Sequence, residues 1–154
     1  MKKSVSNNAN DLYNKTDNET SRNNKKKKRN KIRRFNMSHE ILDDKSFSFL
    51  VDADKSTPGF LKKMIDKFKE NSKELLKGLQ EGITSKDYKK INFSAHKLRG
   101  SAGAIGATKL MEVSAEIESD SSQKGDIEKI KKNVDELLKV YETTMATIEK
   151  RMND

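Results

Sequence analysis

The chain has no cysteine and no tryptophan among its 154 residues, and its one proline is Pro58. Without cysteine it can form neither a disulfide framework nor a zinc site with thiolate ligands, a composition that suits a reducing compartment. No apolar run approaches the ~20 residues that a membrane-spanning helix needs. The basic N-terminus lacks the apolar segment of a signal peptide. We therefore expect a cytoplasmic protein without a membrane span.

The net charge of +9 belongs to the first 37 residues. That segment holds 12 Lys or Arg and 3 Asp or Glu, whereas the remaining 117 residues hold 21 of each sign. It is rich in Asn, Lys and Ser, and its few apolar side chains cannot bury enough surface to offset the entropy of ordering. We expect residues 1–37 to be a disordered basic tail and residues 38–154 to be the folded domain.

Most of the tail's charge lies in the run Lys25–Arg29 and in Lys31, Arg33 and Arg34. This pattern resembles nuclear import signals and patches that bind polyanions weakly. Such runs are common, and a tail that only keeps the protein soluble explains this one as well. If the protein comes from a nucleated cell, we expect it in the nucleus as well as in the cytoplasm.

Apolar residues beyond the tail recur at helical spacing, and no alternation typical of strands is present. The pattern predicts a short helix over 46–52 followed by four long ones. The four long helices are expected from Thr57 to Gly82, from Thr84 or Ser85 to Gly106, over 107–119, and from Asp126 to about Lys150. Short connections and one apolar stripe per helix predict an all-α fold, an antiparallel four-helix bundle with a short additional N-terminal helix.

The most informative stretch is Ser94-Ala-His-Lys-Leu-Arg-Gly-Ser-Ala-Gly103. An apolar stripe runs through it, and His96 lies one residue past a stripe position, at the edge of the buried face. Gly100 and Gly103 follow on the same side of the helix, although a mid-helix glycine costs about 1 kcal/mol relative to alanine. Two destabilising glycines beside a histidine indicate a candidate functional site.

A neutral imidazole is a good nucleophile near pH 7, so His96 is a candidate acceptor of a phosphoryl group. Negative charge formed in the middle of a helix gains nothing from the helix dipole, whose effect fades within the terminal turn. Side-chain cations must stabilise it. Arg99 offers a planar fork suited to phosphate oxygens, and Lys97 offers a mobile point charge.

The sequence His96-Lys-Leu-Arg-Gly-Ser-Ala-Gly-Ala-Ile-Gly106 resembles the motif of histidine-containing phosphotransfer (HPt) domains, H-x-L-K-G-S-(small)-x-x-(L/I)-G. The resemblance implies that His96 is the phosphorylated residue of a multistep phosphorelay. It also implies that Arg99, where lysine is usual, aids the phosphate, and that Gly100 leaves room for a partner. Many members carry a ring-orienting glutamine 22 residues after the histidine, where this chain has Glu118.

The same resemblance implies a stoichiometric phosphocarrier, a monomer that accepts a phosphoryl group from the receiver domain of a hybrid histidine kinase and passes it to a response regulator. No cofactor is expected on this chain, because Mg²⁺ and the catalytic aspartates belong to the receivers. The sequence has no P-loop and no glycine-rich ATP lid, so autonomous kinase activity is not expected. The candidate docking residues are Gly100, Gly103, Phe47, Leu50, Met64 and Ile65.

A different class of protein stays open, a non-catalytic helical interaction module with a polyanion-binding tail. In that case His96 is a solvated surface residue, and Gly100 and Gly103 permit close packing of helices. Polyanion binding would then be sensitive to salt and would survive loss of His96. The other histidine, His39, lies outside any strong pattern and is interpreted as solvated. The two histidines are far apart and lack carboxylates at ligand spacing, so no metal site is predicted.

Overall fold

The computed structural model of the protein describes residues 40–154, which contain five helices and no strand. The helices are α1 (Asp44–Ser56), α2 (Phe60–Ser85), α3 (Tyr88–Ala104), α4 (Thr108–Ser122) and α5 (Ile127–Asn153). No helix in this range combines the length and the apolar character that crossing a membrane requires. The predicted disorder of residues 1–37 lies outside the described residues.

Helices α2 to α5 form the predicted antiparallel four-helix bundle. Helix α3 packs against α2 and α4, while α5 packs against α4 and α2. The connections are residues 86–87, 105–107 and 123–126, and such short links make consecutive helices run in opposite directions. The all-α fold class is therefore confirmed, including the additional helix α1, which is longer than predicted.

The apolar stripes of α3, α4 and α5 face the centre of the bundle. Their buried members are Ile91, Ala95, Leu98, Ala102, Leu110, Val113, Ile117, Ile130, Val134, Leu137, Met145 and Ile148. Burying one side chain of leucine or isoleucine size contributes roughly 1.5–3 kcal/mol, so this core holds the helices in a fixed register.

The start of α2 differs from the prediction of a helix beginning at Thr57–Pro58. Helix α2 begins at Phe60, after Gly59, whose φ of 87° lies in the left-handed region. The backbone N–H of Leu61 donates to the Asp54 carboxylate of α1 at 2.9 Å. A side chain seven residues upstream thus satisfies the first turn, which local N-cap patterns do not reveal.

Gly82 does not end α2, contrary to the sequence prediction. The helix continues to Ser85, and Gly82 is buried against α3. A Cβ at this position would lie 2.7 Å from Ile91 Cγ1, so the glycine permits close approach of the two helices. The chain instead turns at Lys86, whose φ is 54°.

Helix α1 covers the end of the bundle at the turn between α3 and α4. The N–H of Asp43 donates to the Gly106 carbonyl at 2.8 Å. Gly106 has a φ of 73°, and a Cβ there would lie 2.8 Å from that of Ser46. On the other side, the Arg151 guanidinium lies 5.6 Å from the centroid of the Phe47 ring. These contacts seat α1 on the bundle.

Candidate functional site

The core positions His96 on the surface of α3. Its neighbours Ala95 and Leu98 are fully buried, so their packing in the core fixes the backbone of this turn. The imidazole itself has 58% of its side-chain surface exposed. A reactive ring is thus presented to solvent on a rigid helix.

The ring is oriented by Glu118 of α4. His96 Nδ1 lies 2.8 Å from Glu118 Oε1. An ionised carboxylate only accepts hydrogen bonds, so in the neutral ring Nδ1 is the donor and Nε2 keeps the lone pair. The arrangement therefore leaves Nε2 as the ring nitrogen that is able to act as a nucleophile.

Glu118 also contacts the cation one turn after the histidine. Arg99 Nη1 lies 2.9 Å from Glu118 Oε2. This contact is an ion pair, and Oε2 has no hydrogen-bond partner among the described residues. The Glu118 side chain is only 20% exposed, whereas that of Arg99 is 42% exposed. One carboxylate thus contacts both the imidazole of His96 and the guanidinium of Arg99.

Asn92, one turn before His96, ties α3 to the turn of α4 that carries Glu118. Its side-chain amide donates to the Glu118 backbone carbonyl at 2.8 Å and lies 3.4 Å from Ser121 Oγ. Sequence reasoning missed this residue. Its position four residues before His96 was the available signal, because such a spacing places both on one helix face.

Lys97 and Phe93 form the other border of the site. The Lys97 ammonium lies 5.7 Å from the centroid of the Phe93 ring, a cation–π contact. The Phe93 side chain is 59% exposed. It was also missed in the sequence, although it precedes His96 by three residues. The structure places Lys97 beside the histidine on the helix, with its charge over this ring.

The two glycines of the motif lie open on the surface. A Cβ at Gly100 would have no atom within 4 Å, so helix packing does not require glycine there. At Gly103 a Cβ would meet only Met111 Sδ, at 3.4 Å. The packing explanation thus fails for Gly100 and is weak for Gly103. Both leave the surface after His96 flat.

Three of the candidate docking residues are wrong. Phe47, Leu50 and Ile65 are only 3%, 6% and 2% exposed, because they belong to the core between α1 and the bundle. Met64 is half-buried and lines a groove between α2 and α3. The other lining residues of this groove are Lys67, Phe68, Asn71, Ser101, Ala104 and Ile105.

The residues that the structure describes contain no cluster of metal ligands. Across residues 40–154, no three His, Asp or Glu side chains converge in a way that could hold an ion. The polar groups of the site are the Glu118 carboxylate, the Asn92 amide and the cations of Arg99 and Lys97.

A helical bundle that presents one oriented histidine beside a cation and a flat glycine surface defines a class of phosphotransfer domains. The Hpt domain family model matches residues 63–147, more than half of the chain, and the chain belongs to that family. Over 70 residues it is 31% identical to the phosphorelay intermediate protein YPD1 of Candida albicans. That alignment covers 46% of this chain and 38% of the relative, so the chain spans little more than a third of that protein's length.

Solved structures show the same fold. HptB of Pseudomonas aeruginosa PAO1 superposes with a TM-score of 0.65 at 18% identity, covering 74% of this chain and 96% of that one. Ypd1 of Saccharomyces cerevisiae, crystallised with the receiver domain of its downstream response regulator Ssk1, gives a TM-score of 0.70 at 14% identity. That match covers 76% of this chain and 97% of the other.

Proposed function

We propose that this chain is a phosphorelay intermediate that carries a phosphoryl group on His96 between two receiver domains. The observation that carries the proposal is the geometry of the ring, exposed on a rigid helix with Nδ1 bound to Glu118 and Nε2 left as the nucleophile. Membership of the Hpt family supports it. The names of the relatives, a phosphorelay intermediate and a protein crystallised with a receiver, point the same way.

The transfer is a displacement at phosphorus. The Nε2 lone pair attacks the aspartyl phosphate of the first receiver, a P–N bond forms, and the aspartate carboxylate leaves with the electrons of the P–O bond. The second receiver reverses the process with its own aspartate. Arg99 is close enough to turn from Glu118 towards the phosphoryl oxygens. The Mg²⁺ that this chemistry needs is supplied by the receiver.

The receiver docks over the flat surface beside the ring. Gly100 and Gly103 give its active site access to His96 without an intervening side chain. Exposed Phe93 lies before His96 on α3, and the groove containing Met64 lies between α2 and the C-terminal end of α3, the end that carries Gly100 and Gly103. Aromatic and methionine side chains are enriched at the centres of protein interfaces. These residues replace the buried ones as the apolar part of the docking surface.

The chain acts as a carrier without kinase activity of its own and as a monomer, and we expect it in the cytoplasm and, in a nucleated cell, in the nucleus as well. The missing nucleotide-binding motifs and the lone histidine site support the first point. Incubation with labelled ATP alone should leave the protein unlabelled, and light scattering should give the mass of one chain. A label acquired from ATP in the absence of a kinase would contradict the carrier role.

The experiment that tests the proposal uses both histidines of the chain. The protein is mixed with a panel of phosphorylated receiver domains, that of Ssk1 among them, and the acid-labile label is followed. His96→Gln should abolish labelling while the helical circular dichroism persists, whereas the matched variant His39→Gln should be labelled normally. Labelling of the His96 variant, or no labelling of the wild type by any receiver, would overturn the assignment.

A further inference from the structure

The carboxylate beside the nucleophile is the feature of this site that the carrier role alone does not explain. Glu118 places a negative charge 2.8 Å from Nδ1 and a few ångströms from where a phosphoryl group would form. An amide in this place would orient the ring equally well without repelling the phosphate. The carboxylate therefore needs an explanation beyond orientation.

We infer that Glu118 keeps the proton on Nδ1 throughout the transfer cycle, so that the phosphorylated ring remains an imidazolium and releases its phosphoryl group readily. The inference rests on the proposed function and deepens it. It makes Glu118 a positioning residue that sets how firmly the phosphoryl group is held.

The electron balance of the transfer shows why the proton matters. When Nε2 attacks phosphorus, the ring already carries a hydrogen on Nδ1 and becomes a phosphoimidazolium with one positive charge. If that proton stays, the P–N electrons return to Nε2 in the next step and a neutral imidazole leaves. If the proton is lost, the imidazole must leave as an anion, which is a much poorer leaving group. A carboxylate that only accepts stabilises the protonated ring, as the buried aspartate of a serine-hydrolase triad stabilises its imidazolium.

The other charged groups at the ring do not cancel this effect. From α3, Arg99 contacts the far oxygen of the carboxylate, and Lys97 lies over Phe93. The Arg99 contact, 2.9 Å from Nη1 to Oε2, leaves Oε1 for the ring. The direct contact with the ring is made by Oε1, which lies 2.8 Å from Nδ1, whereas the guanidinium meets the carboxylate at Oε2. The oxygen that meets the ring remains the dominant charge at Nδ1.

The test measures the lifetime of the phosphohistidine and needs no partner protein. The His39→Gln protein, in which only His96 can react, is phosphorylated with phosphoramidate, freed of reagent, and followed by ³¹P NMR between pH 6 and pH 9. Glu118→Gln keeps the shape and an accepting oxygen but removes the charge. Glu116→Gln removes an equal charge from the exposed face of the same helix and serves as the control.

Glu118→Gln should lengthen the phosphohistidine lifetime about 10-fold at pH 8, since a charged hydrogen bond is worth roughly that factor more than a neutral one. The difference should shrink towards pH 6, where solvent protonates the ring in both proteins. Glu116→Gln should match the wild type. Glu118→Ala serves if the glutamine variant fails to fold, and should also lengthen the lifetime.

A lifetime in Glu118→Gln within 2-fold of the wild type at every pH, or a shorter one, would overturn the inference. So would an equal effect of Glu116→Gln. The proposed function is judged separately, because phosphorylated wild-type protein must also deliver its phosphoryl group to a receiver. Failure of that delivery would refute the carrier role whatever the lifetimes are.

Discussion

Gly100→Gln should make the protein more stable and less active. A Cβ at position 100 meets no atom within 4 Å, so the new side chain extends into solvent without displacing anything. Glutamine is the better helix former, and the exchange should stabilise the helix by about 0.5–1 kcal/mol. For a domain of this size the gain corresponds to an increase of about 4 °C in Tm.

Phosphotransfer should nevertheless fall, because the glutamine side chain stands one turn from His96 on the same helix face, where the receiver must approach. Gly100→Ala is the matched control. It provides a similar gain in stability through a single methyl group, and its transfer rate should stay near that of the wild type. Thermal unfolding and single-turnover labelling from a phosphorylated receiver measure the two effects independently.

A glutamine variant that transfers at the wild-type rate would refute the docking surface, and one that loses stability would refute the open environment of Gly100. Gly82, unlike Gly100, is packed tightly against a neighbouring helix, so Gly82→Ala should have the opposite effect on stability. Its Cβ would lie 2.7 Å from Ile91 Cγ1, so it should destabilise the bundle by about 1–3 kcal/mol through overpacking.

Three further substitutions and one deletion test other parts of the account. Arg99→Ala should slow transfer about 10-fold, because a charge-assisted phosphate contact is worth roughly 1.5–3 kcal/mol. Arg99→Lys should retain most of the rate. An unchanged rate in the alanine variant would show that Arg99 only pairs with Glu118. Hydrogen bonds from Ser46 hold the pKa of Asp43 below its usual range, so this N-cap stabilises α1 above about pH 4 and loses its effect as the pH falls further. Asp43→Ala should therefore lower Tm at pH 7 and have little effect near pH 2, and a constant difference would contradict this role. Deletion of residues 1–37 should leave Tm and transfer nearly unchanged and remove salt-sensitive binding to polyanions. In a nucleated cell it should also reduce nuclear accumulation. Loss of folding or of transfer would show that the domain boundary is wrong.

The helices and the core were predictable because they depend on one local property, the spacing of apolar residues. A stripe such as Ile91, Ala95, Leu98 and Ala102 identifies both the helix and its buried face. The ends of α2 were not predictable in this way. They depend on Asp54 reaching Leu61 and on Gly82 meeting Ile91, contacts between residues that only the folded chain brings together.

The site was predictable to a different extent on each helix. His96, Arg99 and Gly100 lie on one helix, so their spacing already placed them together. The position of Glu118 against both His96 and Arg99 depends on how α4 is shifted along α3. No pattern within either helix determines that shift, and only the family resemblance made Glu118 a candidate for orienting the ring. The prediction of the docking residues was wrong for a related reason. Phe47 and Leu50 are apolar whether they face a partner or the bundle, and only the packing of α1 decides between the two.

The central claim is that His96 passes a phosphoryl group from one receiver to another, and a relay between two receivers tests it most directly. A labelled receiver and an unlabelled receiver are mixed with this protein present at one-tenth of their concentration. The account predicts that label reaches the second receiver with the wild-type protein and not with His96→Gln. Label that reaches the second receiver equally well with His96→Gln, or that never leaves the wild-type protein, would contradict it.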